Sequence, residues 1–165
     1  MDAALWGLLG TIVGALASLG ATWLSGLHTL RLQQEVKTQE RQELARVFQR
    51  ENLLALQEAL HDAMRLVARS HLEDLAAFRQ GTPWGKSYLG DDLSESMRLA
   101  NRKLWILIER VADDYLRTAL KTTSGDHGLV CSAESHLDAE AAFMKAANST
   151  NKTLEQIGTA LRGLY

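Results

Sequence analysis

Apolar and polar positions divide this chain into stretches of different character. From Ala3 to Leu27 no residue is ionisable, and the small residues Gly7, Thr11, Gly14, Ser18, Thr22 and Ser25 recur in steps of three and four. At 3.6 residues per turn those steps hold all six on one narrow helix face. Leu5, Leu9, Ile12, Val13, Leu16, Trp23, Leu24 and Leu27 fill the opposite face. An uncharged apolar run of this length reads as a membrane span, and a face of glycines and hydroxyls is how helices approach each other closely in lipid. The six residues are therefore the expected helix-association face.

A second pattern follows. Between Val36 and Leu44 every residue is polar, and neither proline nor glycine interrupts Arg31 to Gln80. A helix polar all round is a solvated stalk. Apolar periodicity begins at Leu44 and Val47 and becomes dense at Leu53, Leu56, Leu60, Ala63, Val67, His71, Leu75 and Phe78, the spacing of an amphipathic helix. Glycines and Pro83 make Gly81 to Gly90 a loop. Asp91 and Asp92 then cap a second helix. Its two apolar seams (Leu93, Met97, Ala100, Leu104, Leu107, Val111, Tyr115 and Trp105, Ile108, Ala112, Leu116) predict burial on two sides. Thr122 to Gly125 ends it, and Asp126 to about Ser132 forms a second loop. The last helix begins near Ser132 or Ser135 and runs toward Arg162, with a seam at Leu137, Ala141, Met144, Ala147, Asn151, Leu154, Ile157 and Leu161. The expected architecture is all-α: a transmembrane anchor over 1–28, a juxtamembrane stalk over 29–50 and an antiparallel three-helix bundle over 51–165.

Flanking residues set an orientation. No Lys or Arg precedes the apolar run, whereas Arg31, Lys37, Arg41 and Arg46 follow it. The positive-inside rule places the N-terminus outside and the C-terminal domain in the cytoplasm of a single-pass cell-membrane protein. Trp6 and Trp23 lie about 25 Å apart along a helix, matching the two bilayer interfaces, with Arg31 just beyond. Asp2 is the only charge before the run, so the basic n-region of a cleaved signal peptide is absent. A lone cysteine, Cys131, cannot form an internal disulfide and fits a reducing compartment. A net charge of -2 gives no reason to expect nucleic acid.

Candidate chemistry is sparse. Glu58 and His61 have the Glu-x-x-His spacing of di-iron bundles, but the second such pair those sites need is missing. His127 and Cys131 share one segment without a third member, too little for a metal site or a nucleophile–base pair. Glu43 with Arg46, and Glu58 and Asp62 around Arg65, read as helix ion pairs. The run Leu104 to Ile108 is core by default. Any part of Trp105 and Ile106 left uncovered by a three-helix bundle would be a partner surface. Asn151 resembles the buried asparagine that fixes coiled-coil register. The sequons at Asn148 and Asn151 are chance matches on a cytoplasmic helix. No cofactor, metal, catalytic residue or small-molecule substrate is indicated.

The Gly-rich span and its Gln/Glu/Arg continuation, with Leu99-Ala100-Asn101-Arg102-Lys103-Leu104 and Arg110 to Arg117, resemble uncharacterised single-span proteins of high-GC actinobacteria and their phages. The resemblance implies a bacterial or phage membrane protein and brings no activity with it. The expected function is a membrane-anchored, non-enzymatic scaffold or adaptor. Its span would associate with itself or with another membrane protein. The alternatives are an oligomeric membrane-permeabilising effector of phage lysis or antiphage defence and, more weakly, a spanin-like protein.

Overall fold

The computed structural model describes the backbone of residues 2–164. It describes the side chains of residues 32–164 and of Gly7, Gly10, Gly14, Ser18 and Trp23. Four helices follow one another: α1 (Asp2–Arg79), α2 (Asp91–Glu109), α3 (Asp114–Cys131) and α4 (His136–Arg162). No strand occurs among the described residues. The chain divides into two compact units, Met1–Ala45 and Arg46–Tyr165.

In the first unit the described side chains from Leu32 onward are exposed, as a helix polar all round requires. Thr38 Oγ1 donates back to the Gln34 carbonyl at 2.8 Å. Among the described residues no helix is long and apolar enough to cross a membrane. Most side chains of the uncharged run Ala3 to Leu27 lie outside those residues.

In the second unit, residues 46–79 of α1 pack with α2, α3 and α4. The main core joins Leu53, Leu56, Leu60 and Ala63 of α1 to Leu104, Leu107 and Ile108 of α2, Leu116 and Leu120 of α3 and Ile157 of α4. A smaller cluster, Val67, Val130 and Ala146, continues it with Met64, Ala142 and Phe143. The α1 periodicity is thus confirmed from Leu53 to His71, while Leu44 and Phe78 are exposed.

The expected three-helix bundle is corrected to four helical segments. The second helix stops at Glu109, and α3 runs straight through the Thr122–Gly125 stop and most of the predicted loop. The break needs neither proline nor glycine, because side chains bond the backbone groups that a helix end leaves open. Asp113 caps α3 by accepting from Leu116 N at 2.9 Å. From α1, Gln49 Nε2 donates to the Arg110 carbonyl at 3.0 Å and Gln49 Oε1 accepts from Ala112 N at 3.1 Å. Asn52 Nδ2 donates to the Leu107 carbonyl at 3.1 Å, and Arg117 Nη1 to the Val111 carbonyl at 2.6 Å. The second apolar seam holds in part: Ile108 and Leu116 are in the core, whereas Trp105 and Ala112 are exposed.

Two further helix ends explain local sequence. Gly81, at φ 93, closes α1 in a Schellman motif, with Gly81 N bonded to the Phe78 carbonyl at 3.0 Å and Thr82 N to that of Ala77 at 3.1 Å. Ser135 caps α4, accepting from Asp138 N at 3.1 Å. The expected Asp cap of α2 is corrected. Gly90 occupies the cap without a side-chain bond, and Asp91 and Asp92 fall in the first turn, where carboxylates favour the helix dipole.

Candidate functional site: an apolar cavity and two buried polar clusters

A cavity of about 580 Å³ opens between α1, α2 and α3 of the second unit. Ala63, Leu66 and Val67 line it from α1, Met97, Leu104 and Trp105 from α2, and Gly125 and Gly128 from α3. Its polar lining comes from Arg98, Asn101, Lys121, Ser124, His127 and Cys131. The face of α3 follows from a heptad that continues past the predicted stop: Leu116, Leu120, Thr123, His127 and Val130 are all buried. That alternation turns Lys121, Gly125 and Gly128 toward the cavity.

Helices α3 and α4 meet along a polar seam. Thr123 Oγ1 and Thr153 Oγ1 lie 2.8 Å apart, as do His127 Nε2 and Thr150 Oγ1. Buried Asp126 accepts an ion pair from Lys145 at 2.9 Å. Burial pushes the His127 imidazole below its ordinary pKa, with Asp126 opposing the shift, so the ring is neutral at pH 7. Polar pairs of this kind are favourable when satisfied and costly when broken.

A second cluster stacks five rings. His71 lies flat on Phe143 with centroids 4.8 Å apart, and Phe78 stacks on His136 at 5.1 Å. Trp84, from the α1–α2 loop, touches His71 and His136 at 5.6 and 5.2 Å. His71 Nδ1 and His136 Nε2 are buried without a hydrogen-bond partner. Burial lowers the His71 pKa; Glu140 opposes this, His136 adds to it and Asp74 opposes it. Trp84 thereby ties the loop to α1 and α4.

Trp105 and Ile106 are 40% and 44% exposed, and Trp105 belongs to the cavity wall. Gly7, Gly14, Ser18 and Trp23 are exposed; the side chains of Thr11, Thr22, Ser25, Trp6 and Arg31 lie outside the described residues. Glu58 and His61 are both exposed, and among the described residues no group of His, Cys, Asp and Glu could hold a metal. His127 and Cys131 do share the cavity wall, one turn apart on α3. Cys131 is exposed as a residue, yet partial desolvation of its sulfur, aided by Asp74, pushes the thiol pKa up, the opposite of what a strong nucleophile needs. Arg65 pairs with Asp62 at 3.0 Å.

Asn151 is exposed and cannot fix register from the core. The α4 seam is corrected in its first part: Leu137, Ala141 and Met144 are exposed, and Ala139, Ala146, Thr150 and Thr153 face inward instead, whereas the expected Ile157 is buried and Leu154 and Leu161 pack against the main core. Sequence reasoning missed Thr123, Thr150 and Thr153 because it followed apolar residues alone. The steps of three and four from Thr150 through Thr153 to Ile157, and from Leu120 through Thr123 to His127, were the available signal.

No family model, curated protein or solved structure matches this chain.

Proposed function

We propose that this protein is a membrane-anchored, non-enzymatic helical-bundle adaptor that self-associates through the first part of α1. The observation carrying this reading is the uncharged run Ala3 to Leu27, with Gly7, Thr11, Gly14, Ser18, Thr22 and Ser25 on one face. Gly7, Gly14 and Ser18 are exposed in the single chain, and a Cβ at Gly7 or Gly14 would meet nothing within 4 Å. Such a face lets a second backbone come close, the geometry by which small-residue spans pack in lipid. The bundle, with its core and capped helices, presents a surface to the cytoplasm in this reading, and the basic residues after the run set that orientation.

The test is the mass of the full chain in lipid nanodiscs, with Gly14→Leu and Ser18→Leu beside it. The adaptor reading expects a defined oligomer that both variants dissociate. A monomeric wild type removes its basis. Dye leakage from vesicles carrying the oligomer would favour a permeabilising effector instead.

A further inference from the structure

The cavity between α1, α2 and α3 is independent of any membrane anchoring. We propose that it binds a single-chain amphiphilic anion of the long-chain carboxylate class, its chain against Leu66, Val67, Leu104 and Trp105 and its head paired with Arg98 or Lys121. A volume of about 580 Å³ falls within the roughly 300–1,000 Å³ of small-molecule sites. The lining matches the class in charge. Arg98 and Lys121 are its charged members apart from the neutral His127, and no carboxylate lines the space.

Both cations already hold surface partners, Arg98 with Glu95 at 2.7 Å and Lys121 with Glu109 at 2.7 Å. Exposed pairs of that kind contribute only about 0–1 kcal/mol. A ligand carboxylate can take over either cation at small cost. A cationic amphiphile would meet two like charges, and a compact polyanion would leave the apolar wall in water.

Gly125 and Gly128 supply the independent observation. Both sit inside α3 with ordinary helical backbone, since Gly81 and Gly85 are the glycines with positive φ. A Cβ at either would meet nothing within 4 Å. Neither backbone strain nor a close neighbour therefore calls for glycine. Each costs the helix roughly 1 kcal/mol relative to alanine, and what their missing side chains leave is room in the cavity they line.

Cys131, the single cysteine of the chain and part of the cavity wall, reports on occupancy. The experiment follows its alkylation by N-ethylmaleimide in the full-length protein in nanodiscs. The added amphiphile is dodecanoate, dodecanol or dodecyltrimethylammonium. Dodecanoate is expected to slow alkylation saturably, with dodecanol needing about tenfold more for the same protection, the size of one charge-assisted hydrogen bond. The cation should leave the rate unchanged. Gly125→Leu/Gly128→Leu fills the space without a backbone clash and should abolish the effect of dodecanoate. Arg98→Gln/Lys121→Gln, which alters exposed side chains only, should reduce dodecanoate to the potency of dodecanol. Absent protection, equal protection by all three amphiphiles, or protection that survives the leucine pair overturns the proposal. So does a resting alkylation rate that falls with protein concentration, because a second copy then fills the cavity.

Discussion

His71 and His127 are held neutral by burial, and that makes stability depend on acidity. The ordinary imidazole pKa of 6.5 belongs to the unfolded chain, and both folded values lie below it. As pH falls through 6.5, the unfolded chain binds protons that the folded one refuses. Stability is therefore full above 6.5 and declines from there until the folded rings also titrate. Thermal melts from neutral to mildly acidic pH should show this loss. His71→Phe, a flat ring that keeps the stack on Phe143, should shrink it. Asn52 and Gln49 carry a second residue-scale prediction. Asn52 is buried, so Asn52→Ala removes a core hydrogen bond from the Leu107 carbonyl, which keeps its 3.2 Å bond from Arg110 N, and should cost about 1 kcal/mol. Gln49 is half-buried and water can reach the groups it releases, so Gln49→Ala should cost about 1 kcal/mol. Equilibrium urea denaturation followed by helical circular dichroism measures both.

At the scale of elements, the helices with a plain apolar stripe were readable from sequence and the others were not. The stripe Leu53, Leu56, Leu60, Ala63 and Val67 is the inner face of α1, and Gly81 marks its end because a left-handed residue is needed there. Glycine misled at Gly125, which read as a stop, and at Gly128, which read as loop; both lie inside α3. Tertiary burial of Leu120, Thr123, His127 and Val130 outweighs the local penalty. Gly125→Ala and Gly128→Ala should each stabilise the fold by up to about 1 kcal/mol, seen as a higher melting temperature. A loss of stability would mean that the cavity wall tolerates no side chain. The inward positions of α4 before Leu154 escaped the sequence for a related reason. Its inward face pairs Thr150 with His127 and Thr153 with Thr123, and polar atoms satisfied by a partner helix look like a solvated face until that partner is known.

For the whole molecule, helical class followed from composition: one proline among abundant helix formers leaves little alternative. The cavity was not legible, since it depends on how α1, α2 and α3 are spaced, and spacing depends on a corner that no proline or glycine announces. That corner has a consequence for assembly. The four residues between Glu109 and Asp114 include no helix breaker, and the bonds that bend them come largely from Gln49 and Asn52, about sixty positions upstream. Cut off from α1, the corner would keep only the Asp113 cap and the Arg117 bond to the Val111 carbonyl, and Asp91 to Cys131 would straighten more readily into one rod. A straightened rod would carry α3 and α4 away from their own α1 and α2 and could seat them on those of a second molecule. The same contacts would then re-form between chains. Gln49→Ala/Asn52→Ala should therefore raise the share of a concentration-dependent dimer in size-exclusion chromatography, and an unchanged monomer fraction would show that the Asp113 and Arg117 contacts hold the corner alone.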